Sequence, residues 1–260
     1  MRDNRGVENL GPSIGWGLAI AASLLAGAVA AAALRLPERV AALLTAFGGG
    51  TLLAAIALEL VPEADAGAGP ALTAAGLVAG TAVYVGADYL LTRNSGMRAH
   101  RRAAHAVAAG RPMNMPDHGE SARGEAIAAG IFIDGVPESI AIGLTVAEGE
   151  IGVALLAGVL IGNVVEAYGA AQPIVKGGHT SGFAIRLLGG IGLTLAAATV
   201  LGATVLADAS EELVGGAQAV AAGAVLAVVS IAIIPHAFSE VSRLTAAATV
   251  AGFVAGYLLS

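Results

Sequence analysis

Asp134 and Glu138 stand four residues apart inside one apolar run, and Glu166 stands inside the next. On a helix, a spacing of four stacks two side chains on one face about one turn apart. A charge at the middle of a bilayer costs ~3 kcal/mol on insertion scales, so an acid kept there needs a partner, a cavity or a task. Two carboxylates this close repel each other. A divalent cation relieves the repulsion, and so does a shared or added proton that leaves the acids hydrogen-bonded for packing. Pro137 lies between the pair and removes a backbone hydrogen bond, freeing the carbonyl of Ile133 beside the carboxylates. Asn163 precedes Glu166 by three residues, again on one helix face. No lysine or arginine occurs between residues 126 and 175, so neither run supplies a cation of its own. The expected metal ligands are therefore Asp134, Glu138, Asn163 and Glu166, an all-oxygen set on two helices.

Glu59 and Glu63 repeat the four-residue spacing near the end of an earlier run. Glu59 is expected as a peripheral ligand on the way to the core, and Glu63 as an interfacial acid. Asp88, His236 and Glu240 fall at the opposite ends of their runs, where water-exposed residues are common. His100, His105 and His118 are scattered without a ligand spacing. Zero cysteines exclude thiolate sites, disulfides and cysteine nucleophiles. No Walker loop appears, and none of the five histidines lies where it could serve a core serine. Val85-Gly-Ala-Asp88 has part of the pattern of an intramembrane aspartyl protease but lacks the second glycine and a partner aspartate. The chain is expected not to be an enzyme and to carry no prosthetic group.

The elements that hold these residues follow from composition. Of 260 residues 57% are hydrophobic and 12% charged, against about a quarter charged in soluble domains. Mean hydropathy is +0.80, and the period-2 alternation of a membrane barrel is absent, so each run must close its backbone hydrogen bonds as a helix. The expected fold class is all-α, a polytopic membrane protein of eight transmembrane helices forming a single domain. They cover about 14–34, 40–61, 71–91, 126–147, 151–175, 187–207, 213–235 and 244–259, each near the ~20 residues a bilayer needs. The first is read as a helix and not a signal peptide, because its uncharged stretch exceeds a usual signal core. The segment 92–125 is expected to be a mobile cytoplasmic loop. With 37 glycines and 4% aromatics, the helices should pack through small residues, as at Gly76/Gly80, Gly158/Gly162 and Gly252/Gly256.

Eight crossings put both termini on one side. Arg35, Arg39, Arg93, Arg98, Arg101, Arg102, Arg111, Arg123, Lys176, Arg186 and Arg243 then share the opposite compartment, and the loops facing the termini hold no basic residue. The positive-inside rule makes that compartment the cytoplasm and places both termini outside, in a plasma (inner) membrane. Glu63, Asp65, Glu148, Glu150, Asp208, Glu211 and Glu212 gather toward the outer face, where they could concentrate cations. A net charge of −6 argues against nucleic acid.

At Asp134-Gly-Val-Pro-Glu-Ser-Ile-Ala-Ile-Gly143 the chain resembles the ZIP family of metal transporters, whose fourth helix carries His-Asn-x-Pro-Glu-Gly. Ala46-Phe-Gly-Gly-Gly-Thr-Leu-Leu-Ala-Ala55 through Pro62-Glu63 is similar to that family's second helix, and Ala221-Ala-Gly-Ala224 through Ile234-Pro235 to its seventh. The resemblance implies a bundle binding metal between helices four and five, a homodimer, and import of divalent cations by alternating access. Glu138 matches the family's glutamate; Asp134 stands for its histidine and Gly135 for its asparagine. In Gly162-Asn-Val-Val-Glu166 the asparagine and glutamate are kept while the histidine and proline are lost, and Glu59 sits where many members have histidine. Helix six offers no acid for a second site, so one principal site is expected. An oxygen set shifts preference from zinc toward manganese or iron(II), although zinc accepts carboxylates. Two other readings stay open: a proton-coupled carrier of an organic solute, and a transport-dead membrane metal sensor.

Overall fold

The computed structural model describes residues 9–34, 37–91, 120–147, 149, 152–205 and 209–260. Among them every regular element is helical. In chain order these are α1 (Leu10–Ala33), α2 (Glu38–Ala55), a π turn (Ile56–Leu60), α3 (Val61–Leu91), α4 (Glu120–Ala147) and α5 (Val153–Lys176). They are followed by α6 (Ser181–Val205), α7 (Glu211–Val228), a second π turn (Val229–Ile233), α8 (Ile234–Val241) and α9 (Leu244–Leu259). Six helical stretches are long and apolar enough to cross a membrane, and large apolar side chains such as Val78, Leu193, Leu201, Val250 and Leu258 face outward. By length and composition the chain is an all-α polytopic membrane protein.

Among the described residues these six long stretches stand where eight separate helices were expected. The second and third runs join into one helical stretch, Arg39–Leu90, of 52 residues, and Leu244–Leu259 is shorter than the others. The long stretch would reach ~78 Å if straight, far beyond a ~30 Å hydrocarbon core. It does not run straight, because Gly69 has φ 77 and ψ 163 and Pro70 follows. Positive φ is open to glycine without a side-chain clash, and proline limits what precedes it to extended backbone. Before the break, Ala64 lies against Gly215 and Gly67 against Glu211; after it, Gly76 meets Ala219 and Gly80 meets Val220. The path therefore runs against α7 and then along it, reversing at Gly69.

Other boundaries shift for local reasons. Helix α6 begins at Ser181, six residues before the expected 187, because Thr180 Oγ1 accepts the Phe183 N–H and opens the helix ahead of Arg186. Helix α7 begins after Ser210, whose hydroxyl accepts the Leu213 N–H. Residues 120–125, expected as loop, are the start of α4; the rest of that segment lies outside the described residues. The two π turns precede Pro62 and Pro235, each the second residue of the helix that follows. Each proline ring crowds the carbonyl four residues back, Leu58 or Ile231, and a wider turn relieves that crowding.

Packing is by close approach of small residues. Helix α1 lies against α5 and α6, α4 against α5 and α6, α2 against α5 and α9, and α3 against α7. A β-carbon at Gly17 would stand 2.9 Å from the Ala196 carbonyl oxygen, and one at Gly192 2.9 Å from Ala21 Cα, so the α1–α6 contact is backbone to backbone. The small pairs expected at Gly76/Gly80 and Gly252/Gly256 meet α7 and α2 in this way. Gly158 meets Thr51, and Gly162 lies 3.6 Å from where a β-carbon at Gly48 would be.

At Gly143 an added side chain would overlap the Thr199 carbonyl and the Gly202 backbone of α6, whereas Gly86 has nothing within 4 Å. Gly143→Val is expected to lose ~1–3 kcal/mol of stability by overpacking. Gly86→Val should stay near wild type. Thermal unfolding of the two variants in detergent checks the contrast.

Candidate functional site

Helix α4 runs through Pro137 without ending, and it carries Asp134 and Glu138 inward, 7% and 6% exposed. Helix α5, packed against α4, carries Asn163 inward at 2% exposure and Glu166 half-buried on the same side. The three acids lie near enough to interact electrostatically: Glu138 with both Glu166 and Asp134, and Glu166 with Asp134. The structure thus places Asp134, Glu138 and Glu166 near one another, with Asn163 buried one helical turn before Glu166 on α5. They do not form a closed cage. Among the described residues no three histidine, aspartate or glutamate side chains are gathered tightly enough to hold a metal ion.

Two further polar atoms are buried without a hydrogen-bond partner among the described residues, the Asn163 amide nitrogen on α5 and the Ser139 hydroxyl on α4. A buried polar atom without a partner costs ~1–3 kcal/mol. The Asn163 amide N–H group calls for an acceptor. A β-carbon at Gly135 would stand 2.5 Å from the Leu195 side chain, so α6 packs closely on α4 beside Asp134.

Sequence reasoning missed Tyr84. This α3 residue is 2% exposed, and its hydroxyl donates a hydrogen bond to Asp134 Oδ1. The nearby Val85-Gly-Ala-Asp88 stretch drew attention through its acid, while the tyrosine beside it reads as an ordinary packing aromatic.

Glu59 has a different position from the core acids. It lies in the first π turn, and its Oε1 accepts the Ala154 N–H at 3.3 Å; the Leu155 amide also acts on it. These are orphan amides in the first turn of α5, where a negative charge also meets the positive end of the helix dipole. Its other oxygen is enclosed without a partner among the described residues. Glu59 is a helix cap delivered from another helix. Glu63 accepts a hydrogen bond from Gln218 Nε2 at 3.0 Å, and Gln218, fully buried in α7, is a second polar residue the sequence reading overlooked. Asp88 is half-buried, and His236 and Glu240 are exposed, at the far ends of α3 and α8. Glu148, Glu150 and Asp208, like His100, His105 and His118, lie outside the described residues.

No protein-family model matches the chain, and no curated protein is detectably similar to it.

Capping from Glu59 should be visible in stability. Glu59→Ala is expected to cost ~0.5–2 kcal/mol, the range for losing a helix cap. Glu59→Gln, which keeps an acceptor but no charge, should lose less. Unfolding midpoints in detergent provide the comparison.

Proposed function

We propose that the chain is a ZIP-like carrier of divalent transition metal ions, with zinc, manganese or iron(II) as substrate, and that the ions cross through the polar neighbourhood between α4 and α5. One observation carries this reading: the acids Asp134, Glu138 and Glu166 lie near one another inside apolar helices, with no basic residue between 126 and 175 to pair with them. Three acids at membrane depth can be ionised together only with positive charge that the apolar stretches of α4 and α5 do not supply. A divalent cation meets it, and carboxylate and amide oxygens suit the harder members of the series. Asn163, buried one helical turn before Glu166, would supply its amide oxygen as the fourth ligand.

The open arrangement of the acids fits a carrier. A substrate site that is built only when the ion arrives can release the ion when the helices shift apart. In this reading the reversal at Gly69 makes α2 and α3 two separate crossings, and α9 is the eighth. Both termini then face outward, eleven basic residues mark the cytoplasmic side of a plasma membrane, and import follows from the acids gathered at the outer face. The functional unit is a homodimer, as the family resemblance implies. Glu59 holds the outer end of α5 in register and so acts on the site through that helix.

The second reading, a proton-coupled solute carrier, draws on the absence of a preformed metal cage among the described residues. Proteoliposomes separate the two. The wild-type protein should accumulate zinc or manganese, and Glu138→Ala with Glu166→Ala should abolish uptake while leaving the protein folded. Unchanged uptake in that double variant would overturn the metal reading, as would proton-driven movement of an organic solute with which no metal competes. Because a carboxylate must give up its proton to bind a metal, protons compete with substrate and uptake should fall as the outer pH is lowered. Initial rates across a pH series check the sign.

A further inference from the structure

Away from the acids, α3 and α7 form a groove of about 760 Å³ that opens on the outside of the bundle. The residues along it are small, Ala75 and Ala79 of α3 and Gly216 of α7, with larger exposed side chains, Leu72, Leu213 and Val220, beside them. A β-carbon at Gly216 would meet nothing within 4 Å, whereas one at Gly76 would press on Ala219. Gly76 therefore serves the contact between the helices, and Gly216 leaves room. The stretches Leu72 to Ala79 and Leu213 to Val220 each cover about 10 Å of helix, against ~15 Å for one leaflet of a ~30 Å hydrocarbon core.

The two ends of the groove differ in chemistry. At the end where α7 begins, its lining includes Ser210 and Glu212, and the rest is apolar. The Ser210 hydroxyl is engaged in capping Leu213, so Glu212, exposed in the first turn of a membrane-spanning stretch, is the group that faces a ligand there. An apolar slot with a carboxylate at headgroup level fits an amphiphile with a cationic head. A void beside lipid forfeits dispersion contacts, so an acyl chain is drawn into it. Neither α3 nor α7 contains a lysine or arginine, and Glu211 stands exposed beside Glu212, so the end of the groove attracts an ammonium and repels a head with net negative charge. A second copy seated here by a two-fold axis along the membrane normal would bring its own Glu212 to the same level, like charge against like. We infer that the α3–α7 groove binds a zwitterionic phospholipid, with one acyl chain along Ala75, Ala79 and Gly216 and its ammonium at Glu212. This inference is independent of which solute the protein carries.

Native mass spectrometry of the full chain in detergent tests it, with phosphatidylethanolamine and phosphatidylglycerol that carry the same oleoyl chains added in equal amounts. Wild-type protein should retain the ethanolamine lipid in about threefold excess, the factor that one exposed ion pair supplies. Glu212→Gln should bring the two lipids level. Gly216→Leu, which fills the groove from a position with free space, should lose most of the bound ethanolamine lipid. If that variant does not fold, Ala79→Leu, at an exposed position of α3, fills the same groove. Equal retention of the two lipids by wild type, an excess that survives Glu212→Gln, or undiminished binding once the groove is filled would each overturn the inference. So would a wild-type dimer that retains no lipid and that Gly216→Leu converts to a monomer, which would give the groove to a second copy.

Discussion

Three carboxylates held close together in apolar helices are the constraint around which the rest of this protein is arranged. Asp134, Glu138 and Glu166 lie near one another, and the helices that carry them contain no lysine or arginine in their apolar stretch. Ionised together, such a cluster would push α4 and α5 apart. Two features oppose that: Tyr84 binds one of the acids from a third helix, and the backbones around the site are brought into close contact by glycine.

Helix α5 is the central strut. It touches α1, α2 and α4, and it is fixed at four heights by different means. At its start Glu59 caps the amides of its first turn; midway Gly158 and Gly162 let α2 approach; farther along, Gly27 of α1 lies against the Val164 carbonyl and Ala167. Toward its end the Tyr168 hydroxyl donates to the Leu34 carbonyl at 3.2 Å, tying α5 to the end of α1. Asn163 and Glu166 lie between these fixed points. Their position is therefore set by backbone packing, which is stiff, and not by flexible side chains. The π turns at Ile56–Leu60 and Val229–Ile233 are the softer places, since each breaks the regular hydrogen-bond ladder next to a proline.

How far all this could be read from the sequence depends on whether a residue breaks a local rule. Asp134, Glu138 and Glu166 are legible because charge is costly in an apolar run, and the glycine pairs are legible because their spacing matches the helix period. Tyr84 breaks no rule: a tyrosine among apolar residues looks like any packing aromatic, and its partner is 50 residues away. Glu59 does break one, but its partner is 95 residues away, and the acid reads as a ligand where the structure makes it a cap. Gly69 escaped because reading spans as uncharged runs places a loop where Glu63 and Asp65 occur, whereas the helix continues past both acids and turns back only where glycine allows positive φ. Boundaries set by Thr180 and Ser210 escaped for a related reason, since a hydroxyl cap acts through geometry and not through hydropathy. The closeness of the acids to one another was foreseeable. Their failure to close into a cage was not, because it depends on how far α4 and α5 stand apart.

The central claim is that a divalent cation resides among Asp134, Glu138, Asn163 and Glu166 during transport. Anomalous diffraction from crystals grown with manganese or zinc tests it most directly. The account predicts an anomalous peak between α4 and α5, bounded by those four side chains. A metal peak confined to other parts of the protein, or none at metal concentrations that saturate uptake, would contradict it.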